Sequence, residues 1–207
     1  MIIALVDYGA GNLTSVRKGL NAAGASLYTP SSPGELASAQ GIIVPGVGHY
    51  GSTRAIDDAW RKAMLRAVGA GTPLLGICLG LQYLFEGSTE APDVPGLGLL
   101  RGWCALLPPT QKVPHVGWNN LRVVRTSRLL AEVPDGSQVY FTHSYAAPVT
   151  DACVAATEYT APFAAVVERE NVFGVQFHPE KSGDTGLRVL RSFVQISSAT
   201  TRQAVKC

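Results

Sequence analysis

The sequence predicts an α/β protein with a central, mostly parallel sheet flanked by helices and additional antiparallel strands in the C-terminal half. Three observations carry that expectation. In the first half, short apolar runs alternate with segments whose apolar residues recur at helical spacing, the pattern of parallel strands joined by right-handed crossovers. From about Gly98 onward the texture changes to short strand-like runs separated by turn residues, which suits hairpins. Hydrophobic residues make up 46% of the 207 residues and charged ones 15%, enough apolar surface for a well-buried globule.

The elements follow in order. "IIALVD" is apolar without alternation, the mark of a strand covered on both faces. In "GAGN", Asn12 is placed to cap a helix whose Leu13, Val16 and Leu20 share one face, with Gly24 closing it. "ASLYT" and "GIIVP" are the second and third strands, the latter running into "GVGHYGS". Residues 55–68 read as a longer helix with Trp60, Met64, Leu65 and Val68 turned inward. "TPLLGI" is the fourth strand and leads to Cys78. In the second half "WCALL", "NNLRVV", "QVYFTH", "CVAATEY", "FAAVVER" and "VFGVQFH" are strand candidates, with a brief helix over residues 127–132. A helix over residues 184–197 closes the chain, presenting Leu187, Leu190, Phe193 and Val194 to the core. With no internal repeat and no low-complexity linker, residues 1–197 read as one domain, and 198–207 as a frayed tail.

Composition removes several classes of function. A net charge of +2 gives no footprint for a polyanion, and Arg122, Arg125 and Arg128 read as a solvated face, so no nucleic-acid partner is expected. The four cysteines, Cys78, Cys104, Cys153 and Cys207, have neither C-x-x-C spacing nor a neighbouring histidine cluster, so neither a metal site nor a disulfide scaffold is expected. The opening apolar run is too short for a signal peptide and lacks a basic lead. No stretch reaches the roughly 18 apolar residues of a membrane span. A cytoplasmic setting with free thiols follows as the expectation.

Three loops fall where ligands bind in open α/β sheets, beyond the carboxyl ends of strands. In "PLLGICLGLQYLF", Cys78 stands at the joint between strand and helix. It reads either as a small buried residue or as a nucleophile on a tight turn, since G-x-C-x-G is the thiol counterpart of the G-x-S-x-G elbow. On the second reading Gly76 and Gly80 permit the turn and leave room for substrate, and the helix N-terminus favours the thiolate. The pattern alone does not separate the two. In "VFGVQFHPEKS", His178 and Glu180 are two residues apart at a strand end, so both side chains can project to one side, the acid orienting the base. In "PGVGHYG", Gly46 and Gly48 flank Val47 and let backbone N–H groups face an anion, as an oxyanion hole requires. A phosphate cradle competes, but no G-x-G-x-x-G or P-loop lysine pattern is present.

G-I-C-L-G together with F-H-P-E, with Cys78 and His178 about 100 residues apart, resembles the Cys-His-Glu triad of the class I glutamine amidotransferases. "DYGAGN", "PGVGHYG", "CLGLQYLFE", "PHVGWN" and "HSYAAP" further resemble one branch, the glutaminase subunits of imidazole glycerol phosphate synthase, from Met1 to about Ser197. The resemblance implies that Cys78 attacks the side-chain amide of glutamine while His178, oriented by Glu180, manages the protons. It implies that Gln82 and Glu90 hold the substrate, Glu90 facing its ammonium group, and that Ser144 and Tyr145 hold its carboxylate through backbone groups. The oxyanion donors would be the amide of Leu79 and one in the Val47–Gly48 segment. "EGSTEAPD" is less acidic than this branch's usual segment after the elbow helix. No cofactor is implied. The implied partner is a (β/α)8-barrel cyclase in a heterodimer, which uses the ammonia to form imidazole glycerol phosphate and an aminoimidazole carboxamide ribotide. Asn12, Trp118 and Lys181 match interface or gating positions of that branch. By residue type alone Trp118 reads equally as a core aromatic, and Lys181 as an ordinary surface lysine.

Two other functions fit part of the same pattern. The glutaminase of pyridoxal phosphate synthase shares fold, triad and barrel partner, but "PGVGHYG" and "PHVGWN" speak against it. A catalytically silent regulatory module would not need the intact set Cys78, His178 and Glu180.

Overall fold

The computed structural model describes residues 2–204, the side chains of 200–204 excepted. Chain order is β1 (Ile2–Leu5), α1 (Leu13–Ala22), β2 (Ser26–Tyr28), β3 (Gly41–Val44), α2 (Asp58–Gly69), β4 (Leu74–Ile77) and α3 (Leu79–Tyr83), followed by β5 (Gly87–Ser88) and β6 (Trp103–Leu106). Next come β7 (His115–Asn120), β8 (Arg122–Val123), β9 (Gln138–His143), β10 (Tyr145–Ala146), β11 (Cys153–Glu158), β12 (Pro162–Arg169), β13 (Val172–Val175) and α4 (Gly183–Ala204).

Eight strands form one sheet in the order β2-β1-β3-β4-β13-β12-β11-β8. The pairs from β2 through β13 are parallel, and those from β13 to β8 antiparallel. Runs such as Ile42, Ile43 and Val44 are fully buried because helices cover both faces of the sheet. On one side α2 presents Ala63, Met64, Ala67 and Val68. On the other, α1 contributes Val16 and Leu20, and α4 contributes Val189, Leu190, Phe193 and Val194. The strands β7 and β9 form a separate two-stranded ribbon, and β10, β6 and β5 a small third sheet.

Asn12 caps α1 as its sequence suggests, its Oδ1 accepting from the Ser15 N–H at 3.2 Å. Gly24, just past the helix, takes φ +89°. Five expectations are corrected. The helix expected over 55–68 starts at Asp58, because Asp57 accepts from the N–H groups of Ala59 and Trp60 and becomes the cap, while Tyr50–Ala55 forms a 3-10 turn. Leu65 falls off its buried face and is 36% exposed. The residues 127–132 form turns rather than a helix: the carboxylate of Glu168 takes the Ser127 hydroxyl and the Arg128 N–H, a tertiary partner that replaces helical bonding. "NNLRVV" is split between β7 and β8. The last helix continues past Ser197 through Ala204, covering most of the segment expected to fray; no glycine or proline interrupts it there. Residues 205–207, Cys207 among them, lie outside the described residues.

Candidate active site

The strand β4 delivers the chain to Cys78, which adopts φ 54° and ψ −106°. A non-glycine residue in that conformation costs on the order of 1–3 kcal/mol and persists only where its surroundings over-determine it. Here the Cys78 N–H donates to the Val175 carbonyl at 2.7 Å, and the Cys78 carbonyl accepts from Gln82 N–H at 3.2 Å. The two flanking glycines permit the turn, as expected, through close packing rather than through a positive φ. Neither has positive φ; a Cβ on Gly76 would overlap the Gly80 carbonyl, and one on Gly80 the Val44 carbonyl. They let α3 press against β4 and β3, and the strained turn is carried by the cysteine itself. The helix expected to favour the thiolate has five residues, so its dipole is small.

His178 follows β13, the immediate parallel neighbour of β4, with Val175 in register with Ile77. Its backbone N–H donates to the Tyr140 carbonyl at 2.9 Å. Glu180 Oε1 lies 2.8 Å from His178 Nδ1, and both side chains are 2% exposed. Burial works against the imidazolium, but the Cys78 thiol and the Glu180 carboxylate outweigh it and raise the His178 pKa to about 9. The opposite ring nitrogen, Nε2, is buried with no hydrogen-bond partner among the described residues. An oriented base with one free, buried nitrogen beside a thiol is the arrangement that nucleophilic catalysis needs.

One pocket of about 310 Å³ gathers most of the residues singled out in the sequence: Gly48, Cys78, Leu79, Gln82, Glu90, Ser144 and Tyr145 all line it. Gln82 Nε2 donates to the Tyr145 carbonyl at 2.8 Å, tying the elbow helix to the β10 segment. Glu90 Oε2 accepts from the Tyr50 N–H at 2.7 Å, which holds its carboxylate at the rim. Val47 is 38% exposed and does not line the pocket. Gly48 has φ +95°, and the Leu79 N–H points to the Gly46 carbonyl at 3.4 Å. Asn12, Trp118 and Lys181 lie outside the pocket lining. Trp118 is 56% exposed, which excludes the core-aromatic reading. Its ring meets Tyr140 edge-on at 6.0 Å, and Lys181 Nζ lies 5.8 Å from the same Tyr140 ring, so a surface cluster forms beside His178.

Four residues here had no assigned role in the sequence reading: Tyr140, His115, His143 and Gln176. His143 Nδ1 lies 3.0 Å from the Tyr145 carbonyl, which only accepts, so Nδ1 carries the proton. His143 Nε2 therefore accepts from His115 Nδ1 at 3.1 Å. His115 Nε2 in turn accepts from Asn119 Nδ2 at 3.4 Å. Burial holds both rings neutral, pushing His115 down to about 4 and His143 to about 3; for His143 the Tyr145 carbonyl opposes the shift, and the nearby His115 and His178 add to it. The signal was available, since both histidines sit in the quoted motifs "PHVGWN" and "HSYAAP", but their pairing across β7 and β9 is a tertiary fact. Among the described residues no cluster of three or more histidine, cysteine or carboxylate side chains is arranged to hold a metal, and no helix is long and apolar enough to cross a membrane.

The family model for glutamine amidotransferase class-I matches residues 4–196. The chain belongs to that family. Its fold is that of solved members at low identity: a glutamine amidotransferase crystal structure aligns with TM-score 0.75 at 19% identity, covering 94% of this chain and 98% of the other. The structure of PurLQS from Thermotoga maritima aligns at 0.73 and 20%, covering 94% and 97%. Relatives at higher identity narrow the placement. The imidazole glycerol phosphate synthase subunit HisH of Methanothermobacter thermautotrophicus is 45% identical, over 96% of this chain and 100% of its own length. That of Halobacterium salinarum is 48% identical over 93% and 92%. Within the amidotransferases, the branch of this chain is HisH.

Proposed function

We propose that this chain is the ammonia-producing subunit of an imidazole glycerol phosphate synthase and works through Cys78, His178 and Glu180. The observation that carries this reading is a strained Cys78 lining an amino-acid-sized pocket, with a buried His178–Glu180 pair behind that lining at the end of the neighbouring strand. The Cys78 thiolate attacks the side-chain carbonyl carbon of glutamine. The imidazolium of His178 gives its proton to the amide nitrogen, the C–N bond breaks, and ammonia leaves a thioester on sulfur. Water then attacks the thioester while His178 takes its proton, releasing glutamate and the thiol. Glu180 keeps the ring in one tautomer throughout. Glu90 faces the substrate's ammonium group, and the Ser144–Tyr145 backbone its carboxylate.

The ammonia passes to a (β/α)8-barrel cyclase that forms imidazole glycerol phosphate and the aminoimidazole carboxamide ribotide. The cluster of Trp118, Tyr140 and Lys181 is the face we assign to that partner, because an exposed tryptophan and a lysine held over a tyrosine ring lie next to His178. Cys78→Ala tests the assignment. Glutamine-dependent synthesis by the complex should vanish, while synthesis from added ammonium salts persists. Glutamine hydrolysis retained in Cys78→Ala would overturn the triad. Restoration of turnover by a pyridoxal phosphate synthase barrel instead would overturn the partner.

A further inference from the structure

Sulfur at the elbow has two hydrogen-bonding neighbours that the triad does not include: the Thr142 carbonyl, 4.0 Å away, which accepts from the thiol, and Gln176, which can donate to the thiolate. Gln176 is fully buried on the segment between β13 and His178, and its Nε2 lies 3.7 Å from Cys78 Sγ. Which end of that amide faces sulfur follows from its neighbours. The Tyr145 carbonyl can only accept, so the nitrogen of Gln82 faces it, at 2.8 Å. The second N–H of the same Gln82 nitrogen reaches the Gln176 oxygen at 3.3 Å. With its oxygen committed there, Gln176 turns its NH₂ to the sulfur. The Tyr145 carbonyl is itself fixed by His143 Nδ1 at 3.0 Å and, through it, by His115 and Asn119. A chain of hydrogen bonds thus ends on the nucleophile with a donor pointing at it.

We propose that Gln176 is a catalytic residue that stabilises the Cys78 thiolate by donating an amide N–H to Sγ, with Gln82 as the residue that positions it. This deepens the proposed glutaminase reading and rests on it only for the identity of the reaction. A thiol sulfur is a poor acceptor, and a thiolate a good one, so a donor held against sulfur favours ionisation. Elements around Sγ bring other ionisable groups that the same thiol must feel: His178 with Glu180 behind it, Tyr8 from the loop after β1, and Glu90 and His143 in the pocket lining. Among the described residues none of these hydrogen-bonds the Gln176 side chain, which meets Gln82 and Cys78. Gln82 also explains why a buried amide is kept rather than an apolar residue: the donor must be aimed, and an amide whose oxygen is already taken has a single orientation.

The test is the pH dependence of Cys78 alkylation by iodoacetamide in the full chain, followed peptide by peptide by mass spectrometry so that Cys104, Cys153 and Cys207 are read separately. Gln176→Met keeps the volume and removes the donor. The midpoint of the profile should rise by about one pH unit, and alkylation at pH 7 should slow about tenfold, the scale of one charge-assisted hydrogen bond. Gln176→Glu, isosteric and anionic, should raise the midpoint further. In glutamine turnover kcat should fall in both variants with KM changing less. An unchanged midpoint in folded Gln176→Met overturns the proposal. Should that variant not fold, the parent chain decides: the Gln176 side-chain ¹⁵N–¹H signals must shift with the same midpoint as Cys78 alkylation, and signals indifferent to that titration overturn it. The reading of the chain as a glutaminase fails separately, by glutamine hydrolysis surviving Cys78→Ala.

Discussion

The backbone N–H of Leu79, the residue after the nucleophile, donates to the carbonyl of Gly46 at 3.4 Å. An N–H at that position is the natural donor to an oxyanion on a substrate bound at Cys78, and here it is engaged elsewhere by a long, weak bond. Gly48, at φ +95°, follows in the same segment, so the peptide between Val47 and Gly48 can reverse at low cost. With Leu79 as the proposed oxyanion donor, a resting site of this kind would lack part of its oxyanion stabilisation, and a missing donor costs on the order of 10²–10³ in rate.

The isolated chain is therefore expected to hydrolyse glutamine poorly, with kcat rising on addition of the cyclase and a substrate analogue and KM changing less. Lys181→Ala, which removes the cation above Tyr140, should cut that stimulation by a factor of about 5 to 150, the usual range of coupling between sites. Alkylation of Cys78 in the same variant should be unchanged. Steady-state assays with and without partner decide it; a lone chain already at the stimulated rate refutes the resting-state reading.

His178 and Glu180 should differ in kind. His178→Ala removes the proposed proton carrier, whereas Glu180→Gln leaves it in place but badly oriented, so the second variant should retain at least about tenfold more kcat. The pair also leaves a mark on stability. The folded-state pKa of His178 is raised from 6.5 to about 9, so its contribution is complete below pH 6.5 and lost as pH rises through 9. The difference in Tm between the parent chain and Glu180→Gln should accordingly shrink between pH 6.5 and 9; a difference constant across that range would mean that the two groups do not share a proton-linked interaction.

The buried pair His115 and His143 acts in the opposite direction. Burial depresses both, to about 4 and about 3, so the stability they contribute as neutral rings is present above pH 6.5 and lost as pH falls through those values. His115→Phe keeps the stacking between Phe141, 4.8 Å away, and Tyr159, 4.1 Å away. It leaves His143 Nε2 without its donor, a cost of about 1–3 kcal/mol at neutral pH. Thermal melts from pH 7 to 4 should show a lower starting Tm and a shallower acid slope than the parent; an equally steep slope would remove His115 from the acid response.

Gly80→Ala should be among the most damaging single-methyl additions in the chain. The new methyl would overlap the Val44 backbone carbonyl, which cannot swing away as a side chain could, at a cost of about 3 kcal/mol or more. Gly34→Ala, where nothing lies within 4 Å of the added atom, should stay within about 0.5 kcal/mol. Urea denaturation midpoints compare the two directly.

The legible parts of this molecule were those where local chemistry and tertiary environment agree. The runs around Ile42 and Leu74 are apolar because both faces are covered, and Cys78 between Gly76 and Gly80 announces a turn whatever its packing. Residues 127–132 were misread because Glu168, distant in sequence, takes the Ser127 hydroxyl and Arg128 N–H that a helix would have used. The strand β7 was not separately foreseen, since "HVGWNN" is short, turns its apolar Val116 and Trp118 to the exposed face, and is ordered by pairing with β9. Gln176 was invisible for the same reason: an amide in a buried strand end acquires meaning only when Gln82 and Cys78 are found against it.

The pairing of β4 with β13 has a consequence for the order in which the chain becomes chemically dangerous. Val175 supplies the carbonyl that pins Cys78, and the base stands three residues further on, so the thiol sits in an incomplete setting until the last strand has been laid beside it. A growing chain leaves the ribosome N-terminus first, with Cys78 exposed to the cell long before His178 has been made. Ribosome-bound intermediates thus carry the sulfur without its oriented base or its amide donor. On the proposed mechanism hydrolytic power arrives only on completion of the sheet, so a nascent chain that lacks His178 should leave glutamine intact.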